Sequence, residues 1–104
     1  MIWFLLILAG LLEVAWTIGL KLSAGFSRPF VSLFTLLALL LSVFLLGLAM
    51  RSLPVGTAYA IWVGVGIIGT ALAGHLLFAE PIRLTGVLSM GLIFLGIVGL
   101  KLSI

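Results

Sequence analysis

Four apolar runs, each long enough to cross a bilayer as a helix, constrain this chain more than any other feature. Crossing the hydrocarbon takes about 20 residues of helix at a rise of roughly 1.5 Å each. The runs are Ile2 to Leu20, Phe30 to Met50, Pro54 to Phe78, and Leu84 to Leu100. What separates them is short: Lys21 to Pro29 with Gly25 inside, Arg51 to Leu53, and Ala79 to Arg83 with Pro81. In lipid every backbone polar group must be satisfied within the protein, which leaves helices as the natural state of such runs. Pro54 suits the first turn of the third. The expectation is an all-α integral membrane protein, a single transmembrane domain over residues 1–104 with helices at about 2–20, 30–50, 54–78 and 84–100.

Composition excludes the soluble alternatives. The chain is 65% hydrophobic and 7% charged, where a soluble domain carries roughly a quarter charged residues. The five basic residues stand singly at the ends of apolar runs and make no nucleic-acid patch. Cysteine is absent, and one His with two acidic residues gives no metal-ligand cluster, so neither a metal nor another cofactor is expected. No nucleophile–base pair points to covalent catalysis, and the chain is not read as an enzyme. Met1 to Ala24 lacks a basic start and is interrupted by a carboxylate, so it reads as a retained span rather than a cleaved signal peptide.

That carboxylate is Glu13. It lies inside the first run with apolar residues for turns on both sides, where an unpaired charge costs about 3 kcal/mol or more. An intramembrane ionisable group marks a proton, ion or substrate site by default. Helical spacing puts Gly10, Glu13, Trp16 or Thr17, and Leu20 on one stripe, and Tyr59, Trp62 and Gly66 on another. Ser42 falls near the middle of the second run. The expected substrate and proton site is therefore Glu13, Trp16, Ser42, Tyr59 and Trp62, with Gly10 lining the pocket. An indole N–H only donates, so Trp16 and Trp62 are expected to donate to the carboxylate or to offer a ring face to a cation. Trp3 reads as an interfacial anchor, His75 as an interfacial residue, and Glu80 with Arg83 as a solvated loop pair.

Charge placement bears on orientation. With four spans, Arg51 and Lys101 fall on one membrane face and Lys21, Arg28 and Arg83 on the other. Such a small Lys/Arg bias gives little reason to prefer one orientation, so insertion both ways up is expected. Four helices also leave little room for a transport pathway. Two copies inserted oppositely would make an antiparallel pair, the inverted-repeat arrangement associated with alternating access. Two Glu13 carboxylates facing each other would then titrate as a unit. Glycines add two expectations. Gly64 and Gly66 could hinge the third helix, and Ser89, Gly91, Gly96 and Gly99 suit the fourth helix to a dimer contact.

Several stretches resemble the small multidrug resistance family over the full length, and its guanidinium-exporter subtype in particular. They are Leu12-Glu13-Val14-Ala15-Trp16, then Leu20 through Arg28, then Leu53-Pro54-Val55-Gly56-Thr57-Ala58-Tyr59-Ala60-Ile61-Trp62, and Gly99-Leu100-Lys101. The resemblance implies an antiparallel dual-topology homodimer and proton-coupled export by alternating access. It also implies that Glu13 is shared between protons and substrate. Trp16, and the small or aliphatic residues around Ser42, point to the guanidinium branch. Val63 and Ser89 depart from the expected pattern, which has Thr at the first and often Gly at the second.

The expected function is a proton antiporter for guanidinium or small substituted guanidinium cations, multi-pass in the inner (plasma) membrane of a bacterium. Its expected partners are the cation, protons, the lipid bilayer and a second copy of itself, and no nucleic acid. The alternatives are a broader quaternary-ammonium exporter on the same scaffold and a non-transporting membrane subunit.

Overall fold

Each apolar run closes into one unbroken helix in the computed structural model, which describes residues 2–103; Met1 and Ile104 lie outside the described residues. The helices are α1 (Ile2–Leu22), α2 (Pro29–Ala49), α3 (Val55–Phe78) and α4 (Leu84–Leu102), with no strand among the described residues. All four are long and apolar enough to cross a membrane, and the protein is a multi-pass membrane protein.

The helix ends follow from local chemistry. After α1 the chain turns through Ala24, Gly25 and Phe26, all at positive φ. Ser23 stabilises this turn: its hydroxyl donates to the Leu20 carbonyl at 2.8 Å and accepts the Phe26 N–H at 3.1 Å. Pro29 then opens α2, where its missing N–H is no loss. At the end of α3, Ala79 adopts the left-handed conformation and the Glu80 N–H returns to the Gly74 carbonyl at 3.4 Å. A left-handed residue at the C-terminal end is a common way for a helix to stop. This stop folds Glu80 back over the last turn of α3.

Helix α1 lies between α2 and α3 and packs closely on both. It runs antiparallel to α2, with Gly19 against Thr35, and parallel to α3, with Gly10 against Val65 and Gly69 against Val14. Small residues at these positions let the backbones approach, which is how helices associate where lipid removes the hydrophobic drive. The apolar core is formed by Leu6 and Ala9 of α1, Leu45, Leu46 and Ala49 of α2, and Ala58, Ile61 and Trp62 of α3. These residues gather where α1 begins, α2 ends and α3 begins. The core therefore occupies the half of the protein nearest Arg51.

The four helices do not close into a bundle. The protein is a slab of 42 × 34 × 18 Å, its thinnest dimension less than two helix diameters of about 10 Å. Helix α4 lies alongside α3 only, setting Ile93 and Ile97 against Gly64. It buries no residue among those described, although Lys101 reaches over the Trp3 ring at 5.4 Å. Gly91, Gly96 and Gly99 face open space, and the Ser89 hydroxyl is bonded back to the Thr85 carbonyl at 2.8 Å. Helix α3 runs unbroken through Gly64 and Gly66. Both are points of close approach, Gly64 to α4 and Gly66 to α1.

A side-chain methyl at Gly10 would fall 2.5 Å from Val65 Cγ1 and 2.8 Å from its Cβ, and a β-branched residue in a helix has little freedom to yield. Gly10→Ala is expected to destabilise by about 1–3 kcal/mol. Gly47→Ala, which meets nothing within 4 Å, should be neutral or stabilising by up to about 1 kcal/mol. Unfolding of the detergent-solubilised variants in sodium dodecyl sulfate, followed by circular dichroism, checks both.

Candidate functional site

Along α1, Glu13, Thr17 and Lys21 are spaced four apart and share one stripe. Gly66, Thr70 and Gly74 repeat the spacing on α3. Because these helices run parallel, the two stripes meet rung by rung. The Glu13 carboxylate lies over Gly66, in the space that any Cβ at that position would fill. Its Oε1 is buried with no hydrogen-bond partner. A desolvated carboxylate oxygen without a donor is costly, and it offers a place for a proton or a small cation bearing N–H groups.

One turn further, Thr17 Oγ1 lies 2.8 Å from Thr70 Oγ1 and 2.9 Å from the carbonyls of both Glu13 and Val14. A hydroxyl has one proton to give, so Thr17 can bond back to its own helix while accepting from Thr70. At the next rung Lys21 forms an ion pair with Glu80, which the turn after α3 has folded over Gly74. Lys21 Nζ also sits 4.4 Å from the Phe78 ring centre, and His75 Nδ1 lies 2.8 Å from the Glu80 carbonyl oxygen. The expected Glu80–Arg83 pair is thus replaced by Glu80–Lys21, because the left-handed turn at Ala79 aims Glu80 at α1. A groove of about 420 Å³ runs along this line, with Glu13, Thr17, Gly66, Ile67, Thr70 and Glu80 in its wall. That volume lies within the range of small-molecule sites.

A second polar group crosses three helices on the core side of Glu13. Ser42 is fully buried. Its hydroxyl donates to the Ala9 carbonyl at 2.7 Å and accepts the Trp62 indole N–H at 3.0 Å. Ala9 is the residue whose carbonyl the helix ladder assigns to the Glu13 N–H, so this node fixes the turn of α1 that carries the carboxylate.

The residues proposed from the sequence therefore divide. Ser42 and Trp62 come together, and the Tyr59 ring lies 5.8 Å from Trp62, tilted by 43°. Tyr59 is 54% exposed, on the outer side of the three-helix unit rather than inside it. Neither indole donates to Glu13. That of Trp62 is engaged by Ser42, and that of Trp16 is buried without a partner. Gly10 packs on Val65 and is not in the groove wall. Thr70 and the Lys21–Glu80 pair escaped the sequence reading, although the i, i+4, i+8 stripe Glu13–Thr17–Lys21 was there to be read. A larger groove, about 620 Å³, opens between α1 and α4 over α3, but its wall is apolar except for Lys101 and the Trp3 indole. It contains none of the acidic residues.

The family model described as Small Multidrug Resistance protein matches residues 1–93. The chain belongs to the small multidrug resistance family. Within the family it is 57% identical over 103 residues to a protein of Yersinia pestis named guanidinium exporter, covering 99% of both chains. Proteins of the same name from Salmonella typhimurium and Citrobacter freundii are 53% and 52% identical over 103 residues, covering 99% of this chain and 98% of theirs. The family is one of transporters, and the residues that carry the site lie inside the matched span.

Ser42→Ala removes the acceptor of the Trp62 indole and the donor to the Ala9 carbonyl. Hydrogen bonds between membrane helices are worth about 0.6 kcal/mol each on average and up to about 1.7. The variant should lose roughly 1–2 kcal/mol of stability by the same detergent unfolding.

Proposed function

We propose that this protein is a proton-coupled antiporter exporting guanidinium or small substituted guanidinium cations. It works by alternating access as an antiparallel, dual-topology homodimer in the inner membrane of a bacterium. The observation that carries the reading is the Glu13 carboxylate: intramembrane, set over Gly66, one oxygen buried and unpaired, and facing a groove with hydroxyls along its wall. The proton neutralises that oxygen when no cation is present, and the cation replaces the proton when one arrives. Sharing one carboxylate between the two makes their binding mutually exclusive, which is the physical basis of exchange.

Guanidinium fits this chemistry. It is planar, permanently charged and weakly hydrated, and it presents parallel N–H donors that match a carboxylate with two bonds. The name carried by the relatives supports the same substrate class. Trp16, Tyr59 and Trp62 stay in the proposed site as aromatic groups outside the wall of the single-chain groove, with Ser42 holding Trp62.

The dimer follows from what a single chain leaves uncovered. Helix α4 buries nothing, and its Ser89, Gly91, Gly96 and Gly99 face outward. Small residues on an open face suit close packing on a second helix. The groove in front of Glu13 is open on one side, and a second copy would close it and bring its own Glu13. The split of basic residues between the two faces, two against three, favours insertion in both orientations.

The deciding experiment reconstitutes the protein in liposomes with an imposed pH gradient and measures guanidinium uptake. The intact chain should exchange guanidinium for protons. Glu13→Gln keeps the shape and removes the charge, and its uptake should fall to the background of protein-free vesicles. Continued proton-coupled exchange by the variant would place the site elsewhere.

A further inference from the structure

Glu13 is one of two carboxylates in the wall of the groove; the other is Glu80, at the membrane-face end, two rungs away. Eight residues of helix separate Glu13 from Lys21, about 12 Å along the axis. Between the ends stand the Thr17 and Thr70 hydroxyls, 2.8 Å apart. The groove thus has an acid at its inner end, oxygen acceptors along its length and an acid at its mouth.

The two members of the mouth ion pair are held differently. Glu80 is fixed through its backbone. Its N–H is bonded to the Gly74 carbonyl, its carbonyl is engaged by His75 Nδ1, and its carboxylate rests over Gly74 where no Cβ obstructs it. Lys21 is a flexible four-carbon stem with a compact charge, and the Phe78 ring 4.4 Å from its Nζ gives the ammonium a second resting place. The side chains are 50% and 52% exposed. Ion pairs this exposed hold weakly and exchange readily. A guanidinium fork also bonds a carboxylate with better geometry than an ammonium does.

We propose that Glu80 is an outer docking carboxylate for the transported cation, held shut by Lys21 until an incoming guanidinium displaces the lysine. The cation then passes along the Thr17–Thr70 hydroxyls to Glu13. Lys21 swings back onto Glu80 behind it, so the mouth carries no stray charge at rest. The inference rests on the transport reading above and adds a residue and a step to it. In an antiparallel pair each membrane face would carry one such mouth.

The test separates arrival from final binding. Transport kinetics in proteoliposomes give the KM for guanidinium, and tryptophan fluorescence of the detergent-solubilised protein gives the equilibrium affinity at Glu13. Glu80→Gln should raise KM by about tenfold, the scale of a lost steering charge, with the maximal rate and the equilibrium affinity close to those of the intact chain. The exchange Lys21→Glu with Glu80→Lys keeps an ion pair but puts an ammonium in the groove wall, and its KM should be at least as high as that of Glu80→Gln. The inference is overturned if Glu80→Gln keeps the original KM, or if the exchange restores it, which would make the pair a structural staple. It is equally overturned if Glu80→Gln weakens equilibrium binding as much as it raises KM. If the intact chain moves no guanidinium, the transport reading itself has failed and this inference falls with it; any of the other outcomes in a working transporter sinks this inference alone.

Discussion

An acid group with an unpaired oxygen inside a membrane-spanning helix sets the terms for the rest of this structure. It is unfavourable by several kcal/mol where it stands, yet its buried Oε1 has no hydrogen-bond donor among the described residues. What it supplies is room. Gly66 withdraws the wall of α3 at the level of the carboxylate, and Ser42 pins the turn of α1 that presents it by bonding the Ala9 carbonyl. An acid group fixed in position but left without a partner suits a site whose ligand comes and goes.

The arrangement divides the protein across the membrane. On the Arg51 side of Glu13 the three packed helices meet in an apolar core, with Leu6, Ala9, Leu45, Leu46, Ala49, Ala58 and Ile61 closing against Trp62. On the other side α1 and α3 face each other through hydroxyls, a glycine and an ion pair. Dispersion and close packing hold the first half. Weaker, exchangeable polar contacts line the second. Such a division gives one chain an apolar end and a polar end, and an antiparallel pair would put one of each on both faces of the membrane.

Helix α4 stands apart from this division. It spans, but packs closely on one neighbour, α3, and turns Gly91, Gly96 and Gly99 outward. An uncovered small-residue face on a membrane helix suits close packing against another helix. The reading of α4 as the contact between two copies draws on that exposure, as does the reading of the open groove as half of a closed chamber.

Much of this was legible from residue order alone. Four spans, their ends to within a few residues, the membrane class and the lone intramembrane acid follow from the length of apolar runs and the cost of charge in hydrocarbon, and both are properties of local sequence. Residue order could not say which polar groups would meet. Intramembrane serines commonly bond their own helix, but the close approach of α1 and α2 gave Ser42 the Ala9 carbonyl instead. Tyr59 and Trp62 share a helical stripe, yet packing buries one and leaves the other half outside. Glu80 lies three residues from Arg83 in sequence yet pairs with Lys21, because the left-handed turn at Ala79 reverses its direction. Sequence sets what each segment must do to survive in lipid, while partnership between segments depends on backbone separation and helix rotation, which only the packed helices decide.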